Sequence, residues 1–207
     1  MGGSARCGST SFLRVVSEQS RYNDGVSFRI RPFRKADFEM LWRIDQACFD
    51  PQMAYSRPEM AFYMRRPGAF SLVAEDSPNG QPKRPSSPTQ NVSNQSAPNR
   101  TEPPAGPWEG ILGFIVAEVR RQGGHIITID VVAEARRTGV GSALLRAAED
   151  RLRENRALTV ALETAVNNAA AIRFYKNEGY FVEKTVRGYY SNQLDALVMT
   201  KSLVGNR

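Results

Sequence analysis

The chain has 207 residues, of which 41% are hydrophobic, and its 28 Lys and Arg exceed its 21 Asp and Glu to give a formal net charge of +7. This length suits one domain with a core of its own. The sequence contains no apolar run of about 18 residues, which argues against a membrane-spanning helix. Residues 1–25 lack the apolar stretch of a secretory signal. We therefore expect a cytoplasmic globular protein without a membrane partner.

Cysteine and histidine are scarce in this sequence. Cys7 and Cys48 are isolated, and the one histidine, His125, stands at the start of a predicted strand, where a solvated side chain is expected. These two cysteines have neither the spacing of metal ligands nor that of a disulfide framework. A single histidine also makes a Ser-His-Asp catalytic triad hard to build. We expect no metal site.

The positive charge leaves three interpretations open. It is compatible with affinity for RNA or the ribosome, with a polyanionic cofactor, or with an ordinary soluble basic protein. The sequence has no interleaved aromatic and basic motif, so no specific nucleic-acid motif is identified. A non-catalytic, ribosome-associated module remains an alternative on charge alone.

Hydrophobic periodicity predicts the secondary structure. Residues 1–25 are polar and predict a flexible arm. The elements predicted after it are, in order, a strand over 26–31, helices over 35–49 and 56–66, strands over 70–75, 111–119 and 126–132, a helix beginning at Gly141, a strand over 158–163, a helix over 169–177, and strands over 180–186 and 196–200. This order predicts an α/β protein with a mixed sheet and helices on its faces.

One segment differs in composition from the rest. Residues 77–107 hold eight of the twelve prolines, and their only other apolar residues are Val92, Ala97 and Ala105. A segment of this kind cannot bury enough surface to offset its ordering entropy. We predict a disordered insertion inside one domain of residues 26–203, followed by a short tail at 204–207.

A short basic loop joins the strand at 126–132 to the following helix. It contains Gly139 and Gly141, whose backbones can approach a ligand closely because they lack Cβ. Helix N-terminal N–H groups are unpaired and attract phosphate. Leu144 replaces the third glycine of a dinucleotide-binding loop, and no Gly-Lys-Ser/Thr is present. The loop is therefore a candidate pyrophosphate site, with an ordinary strand–helix turn as the alternative.

The pattern Arg136-x-x-Gly139-x-Gly141 after a strand resembles the acetyl-coenzyme A signature of the GNAT acetyltransferases. Residues 162–180 and the segment Arg187-Gly188-Tyr189-Tyr190 resemble bacterial ribosomal-protein-alanine N-acetyltransferases and their archaeal relatives. The resemblance implies a GNAT fold, with a central, mostly antiparallel sheet that splays open and helices on both faces. It further implies acetyl-CoA as co-substrate and a protein N-terminus as acceptor, with a small-subunit ribosomal protein as a possible target.

The same resemblance implies roles for individual residues. Glu163 matches the general base, although it could be a solvated strand-end carboxylate, and Tyr175 matches the acid toward the sulfur, although it could be a core aromatic. Tyr189 and Tyr190 either line the acceptor groove or serve as packing residues. The implied cofactor contacts are Ile129, Asp130, Val131, Arg136, Arg137, Thr138, Gly139, Val140, Gly141, Ser142 and Asn168. Arg136 and Arg137 could instead simply be solvated, and Asn168 could be only a helix cap or fill both roles.

Two departures leave the acceptor open. Asp130 occupies a position where the subgroup usually has a small or apolar residue, and residues 50–55, which help form the acceptor groove in the family, match no recognisable pattern. A GNAT enzyme that acetylates a small amine or a lysine side chain is therefore the main alternative.

Overall fold

The computed structural model of the chain describes residues 27–77, 108–121, 123–190 and 193–204. The predicted arm, the predicted insertion beyond residue 77 and all but the first residue of the predicted tail lie outside the described residues. The strands are β1 (Phe28–Pro32), β2 (Ala69–Asp76), β3 (Ile111–Arg120), β4 (Gly123–Val131), β5 (Thr159–Ala165), β6 (Phe181–Val186) and β7 (Ala196–Ser202). The helices are α1 (Phe38–Cys48), α2 (Arg57–Met64), α3 (Val140–Glu154) and α4 (Ala169–Asn177), with 3-10 turns at Lys35–Asp37 and Ala133–Ala135.

The seven strands form one sheet in the order β1-β2-β3-β4-β5-β7-β6. Every neighbouring pair is antiparallel except β4 and β5, which run parallel. β4 and β5 run parallel because α3 lies between them in the chain. This crossover helix returns the chain to the end of the sheet at which β4 began. The predicted mixed, mostly antiparallel sheet is confirmed.

Local sequence signals explain where the helices begin. Ser56 and Glu59 form a reciprocal capping box at α2, in which the Ser56 N–H donates to Glu59 Oε2 at 2.9 Å. The Asn168 side-chain oxygen accepts the Ala171 N–H at 3.0 Å and caps α4. The predicted cap role of Asn168 is therefore confirmed.

The core lies between the sheet and α3. Leu144, Leu145 and Leu152 of α3 are fully buried, as the predicted amphipathic pattern requires. The strand predicted to begin at residue 126 begins at Gly123 in the structure, so its predicted start is wrong. A Cβ at Gly124 would lie 2.5 Å from the Leu152 side chain. Close packing of α3 thus requires a glycine within the strand.

On the opposite face of the sheet, α1 packs against β3 and β4. Leu41 and Ile44 of α1 are fully buried, and so is the carboxyl group of Asp45. Within the described residues, no helix is long and apolar enough to cross a lipid bilayer. The sheet thus has helices on both faces, and β4 lies between them.

Candidate active site

The sheet opens between β4 and β5. These parallel strands pair only through residues 123–125 of β4 and 159–161 of β5, although both strands continue beyond that point. The β4 edge from Ile126 to Val131 therefore faces β5 without a ladder partner. An extended chain could hydrogen-bond to such an edge. This is the predicted splay, and Ile129, Asp130 and Val131 lie along it.

A β-bulge in β4 decides which side chains share the opening. The pairing of β4 with β3 shifts at Ile127, which is one extra residue in β4. Side chains alternate between the faces of a strand, so an extra residue reverses the alternation beyond it. His125 and Asp130 consequently lie on the same face of the sheet. Glu163 of β5 shares that face, because His125 pairs with Ala161, two residues before it.

His125 and Glu163 form a hydrogen-bonded pair. The distance from His125 Nε2 to Glu163 Oε2 is 2.7 Å. Burial acts to raise the pKa of Glu163, but the hydrogen bond and charge of His125 outweigh it and hold that pKa below its ordinary value. The expectation of a solvated His125 is wrong, since only 15% of its side chain is exposed. The pairing depends on the bulge, which has no local sequence signal.

A buried glutamate of β3 lies beside this histidine. Glu118 is 1% exposed, and its Oε1 lies 3.6 Å from His125 Nδ1. Arg66 and Arg120 form ion pairs with the same carboxylate. A buried charge is tolerated when it is paired in this way. Glu118 therefore places a paired carboxylate beside the imidazole that contacts Glu163, at a distance longer than a hydrogen bond.

Tyr175 lies on α4 and is 7% exposed. Its ring centroid is 5.1 Å from that of Phe174 and 5.7 Å from that of Tyr180. Burial, followed by the charges of Asp130 and Tyr190, raises the pKa of Tyr175. The hydroxyl therefore keeps its proton, as a proton donor must. The packing interpretation also holds for the ring, so the two roles are compatible.

The glycine loop leads directly into α3. Gly139 has a φ of +93° and precedes the first helical residue, Val140, whose side chain is buried. Only glycine adopts this backbone conformation without strain. A Cβ on Gly141 would meet Phe174 Cζ at 3.5 Å and Val131 Cγ2 at 3.7 Å. A large side chain there would therefore disturb packing as well as any bound ligand.

The remaining loop side chains are mostly engaged within the protein. Arg136 Nε donates to the Val131 carbonyl at 3.0 Å, and the Thr138 hydroxyl donates to the Ala135 carbonyl at 2.7 Å. The Ser142 hydroxyl donates to Glu178 Oε1 at 2.6 Å. Arg137 is exposed to solvent. A phosphate would thus meet mainly the N–H groups at the start of α3, together with Arg137.

Tyrosine rings border the opening. Tyr189 is 48% exposed, and its ring centroid lies 5.0 Å from that of Tyr190. Burial, Tyr189 and the charge of Glu163 raise the pKa of Tyr190 to about 12, and the charge of Glu163 also acts on Tyr189. Tyr63 of α2 affects the pKa of Tyr189, and its ring lies tilted against that of Tyr55 with the centroids 5.1 Å apart. Sequence reasoning identified Tyr189 and Tyr190 but missed the other two.

The segment between α1 and α2 is held by hydrogen bonds. Asp45 Oδ2 accepts the Tyr55 N–H at 2.8 Å, while Trp42 and Gln46 donate to the Tyr55 carbonyl at 3.0 and 2.9 Å. Asp45 was overlooked because it lies beside Ile44 in the apolar stripe of α1. A carboxylate in a buried helical position is the signal that could have revealed it.

Asp130 points from β4 into the same region and is 1% exposed. Its Oδ2 accepts the Thr128 hydroxyl at 3.1 Å. Burial, then the charge of Asp45, raises the pKa of Asp130 well above its ordinary value. Its side chain therefore belongs to the side of the sheet that carries α1. Among the described residues, no group of three or more His, Cys, Asp or Glu could hold a metal ion.

Residues 105–180 match the model of the acetyltransferase (GNAT) family. The N-alpha-acetyltransferase of Sulfurisphaera tokodaii is 40% identical over 81 residues, which cover 39% of this chain and 48% of that protein. The chain thus spans about half the length of this curated relative.

Two solved structures resemble the whole described fold. Ard1 from Thermoplasma volcanium superposes with a TM-score of 0.65 at 25% identity, over 86% of this chain and 99% of that one. The ribosomal-protein-S18-alanine N-acetyltransferase from Escherichia coli gives a TM-score of 0.63 at 20% identity, over 87% and 96% of the two chains.

Proposed function

We propose that the chain is a GNAT acetyltransferase that transfers the acetyl group of acetyl-CoA to the N-terminal α-amino group of a protein or peptide, a proposal supported by the family match over residues 105–180 and by the archaeal relative. The observation that carries the proposal is the His125–Glu163 pair on the face of the sheet where β4 and β5 separate. A proton acceptor thus lies beside a strand edge that can align the amide-containing arm of the cofactor. A small-subunit ribosomal protein is one candidate acceptor, on the sequence resemblance described above.

The cofactor would be held mainly by backbone groups. The free β4 edge at Ile129–Val131 suits the amide-containing arm of coenzyme A, since each such amide needs a hydrogen-bond partner. The N–H groups that follow Gly139 suit its pyrophosphate. Arg137 is exposed beside them and can meet a phosphate. The bound thioester supplies the acyl group, and the protein's residues position it and move protons.

Two groups would handle the protons. The amine must be neutral to attack the thioester carbonyl, and Glu163 accepts its proton, directly or through His125. An N–C bond forms and the C–S bond breaks, which leaves a thiolate. Tyr175 donates its hydroxyl proton to that sulfur, and solvent restores it after product release. The raised pKa of Tyr175 ensures that the hydroxyl is protonated before each cycle.

The exposure of Tyr189 favours a peptide over a small amine. This ring borders the opening and remains 48% exposed, so the wall it forms is open to solvent. A closed aromatic pocket would enclose a small ligand more completely. The name of the archaeal relative also specifies an α-amine.

A peptide library tests this proposal. Peptides that differ in their first two residues, with lysines absent, are incubated with acetyl-CoA, and mass spectrometry reads the acetylated sequences. The same peptides with a blocked N-terminus and one internal lysine form the matched set. We expect acetylation of free N-termini only, with a preference for particular first residues. Equal acetylation of the blocked, lysine-containing set would instead establish a lysine acetyltransferase.

A further inference from the structure

Arginine side chains collect at the end of the sheet where β2 begins and β3 ends. An open cleft of about 520 Å³ lies there. It is lined by residues 67–70, Val119, Arg151 and Asn155. The β3–β4 turn and the α3–β5 turn lie at the same end, because Gly123 of β4 pairs with Arg120 of β3 and with Thr159 of β5. The arginines of this end belong to residues 65–66, 120–121 and 151–156.

Part of this positive charge is neutralised within the protein. Arg66 and Arg120 form ion pairs with the buried Glu118, and Arg153 pairs with carboxylates of α3. In the part of the chain that the structure describes, no ion pair is formed by the other arginines of this end, which are Arg65, Arg121, Arg151 and Arg156. Glu154 is an exposed carboxylate at the end of α3. This end of the sheet therefore presents an excess of positive charge to solvent.

Two of these arginines occupy turns in a backbone conformation that suits glycine. The φ angle is +54° at Arg121 and +62° at Arg156, and both side chains are exposed. Because a Cβ crowds the backbone in this region, glycine would form these turns with less strain. Arg137 has a similar angle, +66°, in the glycine loop that would meet the phosphates of the cofactor. Strain at an exposed residue indicates a function for its side chain beyond folding.

The chemistry of the surface matches a phosphodiester backbone. A guanidinium is planar and can donate two parallel hydrogen bonds to one phosphate group. The guanidinium of Arg151 lies over the ring of Phe70, 4.5 Å from its centroid, which holds the cation beside the cleft. Contacts with phosphates carry no sequence information, so this surface needs no nucleic-acid motif.

We infer that this arginine-rich end of the sheet binds the phosphate backbone of single-stranded RNA. The arginines come from separate turns and from the end of α3, so they do not form one helix that could enter the groove of a duplex. A flexible strand can follow them and place a base in the cleft. A flat lipid surface could not enter the cleft beside Arg151.

The choice of RNA rests on the proposed function, whereas the contact with phosphate does not. Protein N-termini arise at the ribosome, where RNA surrounds the proposed acceptor. Arg66 and Arg120 connect the surface to the candidate active site, because Glu118, which both contact, lies beside His125. RNA bound at this end would therefore hold an acceptor of the same particle close to the opening.

RNA binding can be measured without any assay of activity. The probe is a fluorescently labelled single-stranded RNA of about 12 nucleotides and mixed sequence, followed by anisotropy. For about four phosphate contacts, the dissociation constant should increase roughly 50-fold between about 50 and about 200 mM salt, because the slope for a single strand is about −0.7 per contact. RNA that does not bind at the lower salt concentration, or that binds independently of salt, would overturn the inference.

The double variant Arg121→Gly/Arg156→Gly separates binding from folding. Two lost contacts should reduce the increase over the same salt range to roughly sevenfold. The urea midpoint should not fall, because relief of the strained φ angles offsets the greater freedom of glycine in the unfolded chain. RNA binding with the wild-type affinity and salt dependence would remove both arginines from the surface and refute the proposed site.

Arg29→Gln/Arg43→Gln is the matched control. It removes the same net charge from exposed positions on β1 and α1, and RNA binding should retain the wild-type salt dependence. A loss equal to that of the glycine variant would mean that net charge alone attracts the RNA, which contradicts a defined surface. Tighter binding to vesicles of phosphatidylcholine and phosphatidylserine than to RNA would assign the surface to a membrane instead.

Acetylation of a short free peptide separates this inference from the proposed function. Both double variants should acetylate that peptide at the wild-type rate when RNA is absent, because none of the four arginines has a role in the proposed chemistry. If RNA binds as expected and no amine is acetylated, the proposed function fails and the phosphate-binding surface stands.

Discussion

Replacement of Glu163 by glutamine tests the proposed base. Glutamine has the same shape and can still hydrogen-bond to His125, whose Nε2 lies 2.7 Å from the carboxylate in the wild type. It cannot take a proton from the acceptor ammonium. A general base typically contributes roughly 10²–10⁴-fold to the rate, so kcat/KM near neutral pH should fall within that range.

The loss should depend strongly on pH. An α-amino group has an ordinary pKa of about 7.7–8.0, so only about 1–2% of the acceptor is neutral at pH 6, against more than about 90% at pH 9. The activity of Glu163→Gln should therefore increase roughly 50- to 100-fold between these two values. The wild type should increase less, because its base deprotonates the bound ammonium.

The assay is a stopped-time measurement of peptide acetylation from pH 6 to 9 at subsaturating acceptor. Glu183→Gln is the matched control, since Glu183 is an exposed glutamate on β6, and its profile should coincide with that of the wild type. A profile for Glu163→Gln that is lower than the wild-type profile but parallel to it would remove Glu163 from the role of base.

Four further changes have distinct expected outcomes. His125→Phe removes the group that lowers the pKa of Glu163, so burial should raise that pKa and move the acidic limb of the pH–rate profile to higher pH. Tyr175→Phe should lower kcat about equally from pH 6 to 9, because the raised pKa keeps the wild-type hydroxyl protonated throughout this range. Gly139→Val forces a β-branched residue to a φ of +93°, so calorimetry should show weaker acetyl-CoA binding and denaturation a loss of about 1–3 kcal/mol. Replacement of residues 78–107 by a short turn should leave stability and turnover within about twofold, since the Asp76 N–H donates to the Gly110 carbonyl at 2.7 Å and the ends therefore already meet.

Elements with local signals were predictable from the sequence. The helix predicted over 169–177 has those bounds in the structure, because Asn168 caps its start and Gly179, with a φ of +89°, follows its end. The start of β4 was missed because glycine has a low strand propensity. The packing of α3 against the sheet explains the glycine at Gly124, where a Cβ would lie 2.5 Å from the Leu152 side chain.

The candidate site was predictable where a motif marks it and not where tertiary structure forms it. Glu163 and Gly139 were found from short motifs. The contact between His125 and Glu163 spans 38 residues and depends on a bulge at Ile127, for which the sequence has no local sign. Asp130 was noticed as a departure from the family pattern, but its neighbour Asp45 comes from a different element.

The position of the transferred acetyl group tests the central claim most directly. The protein is incubated with acetyl-CoA that carries a ¹³C-labelled acetyl group and with one peptide that has a free α-amine and an internal lysine. Tandem mass spectrometry then assigns the label to one nitrogen. We expect the label on the α-nitrogen, at a rate that falls sharply in Glu163→Gln. Label on the lysine Nζ, or release of coenzyme A without a labelled peptide, would contradict the proposed N-terminal acetylation.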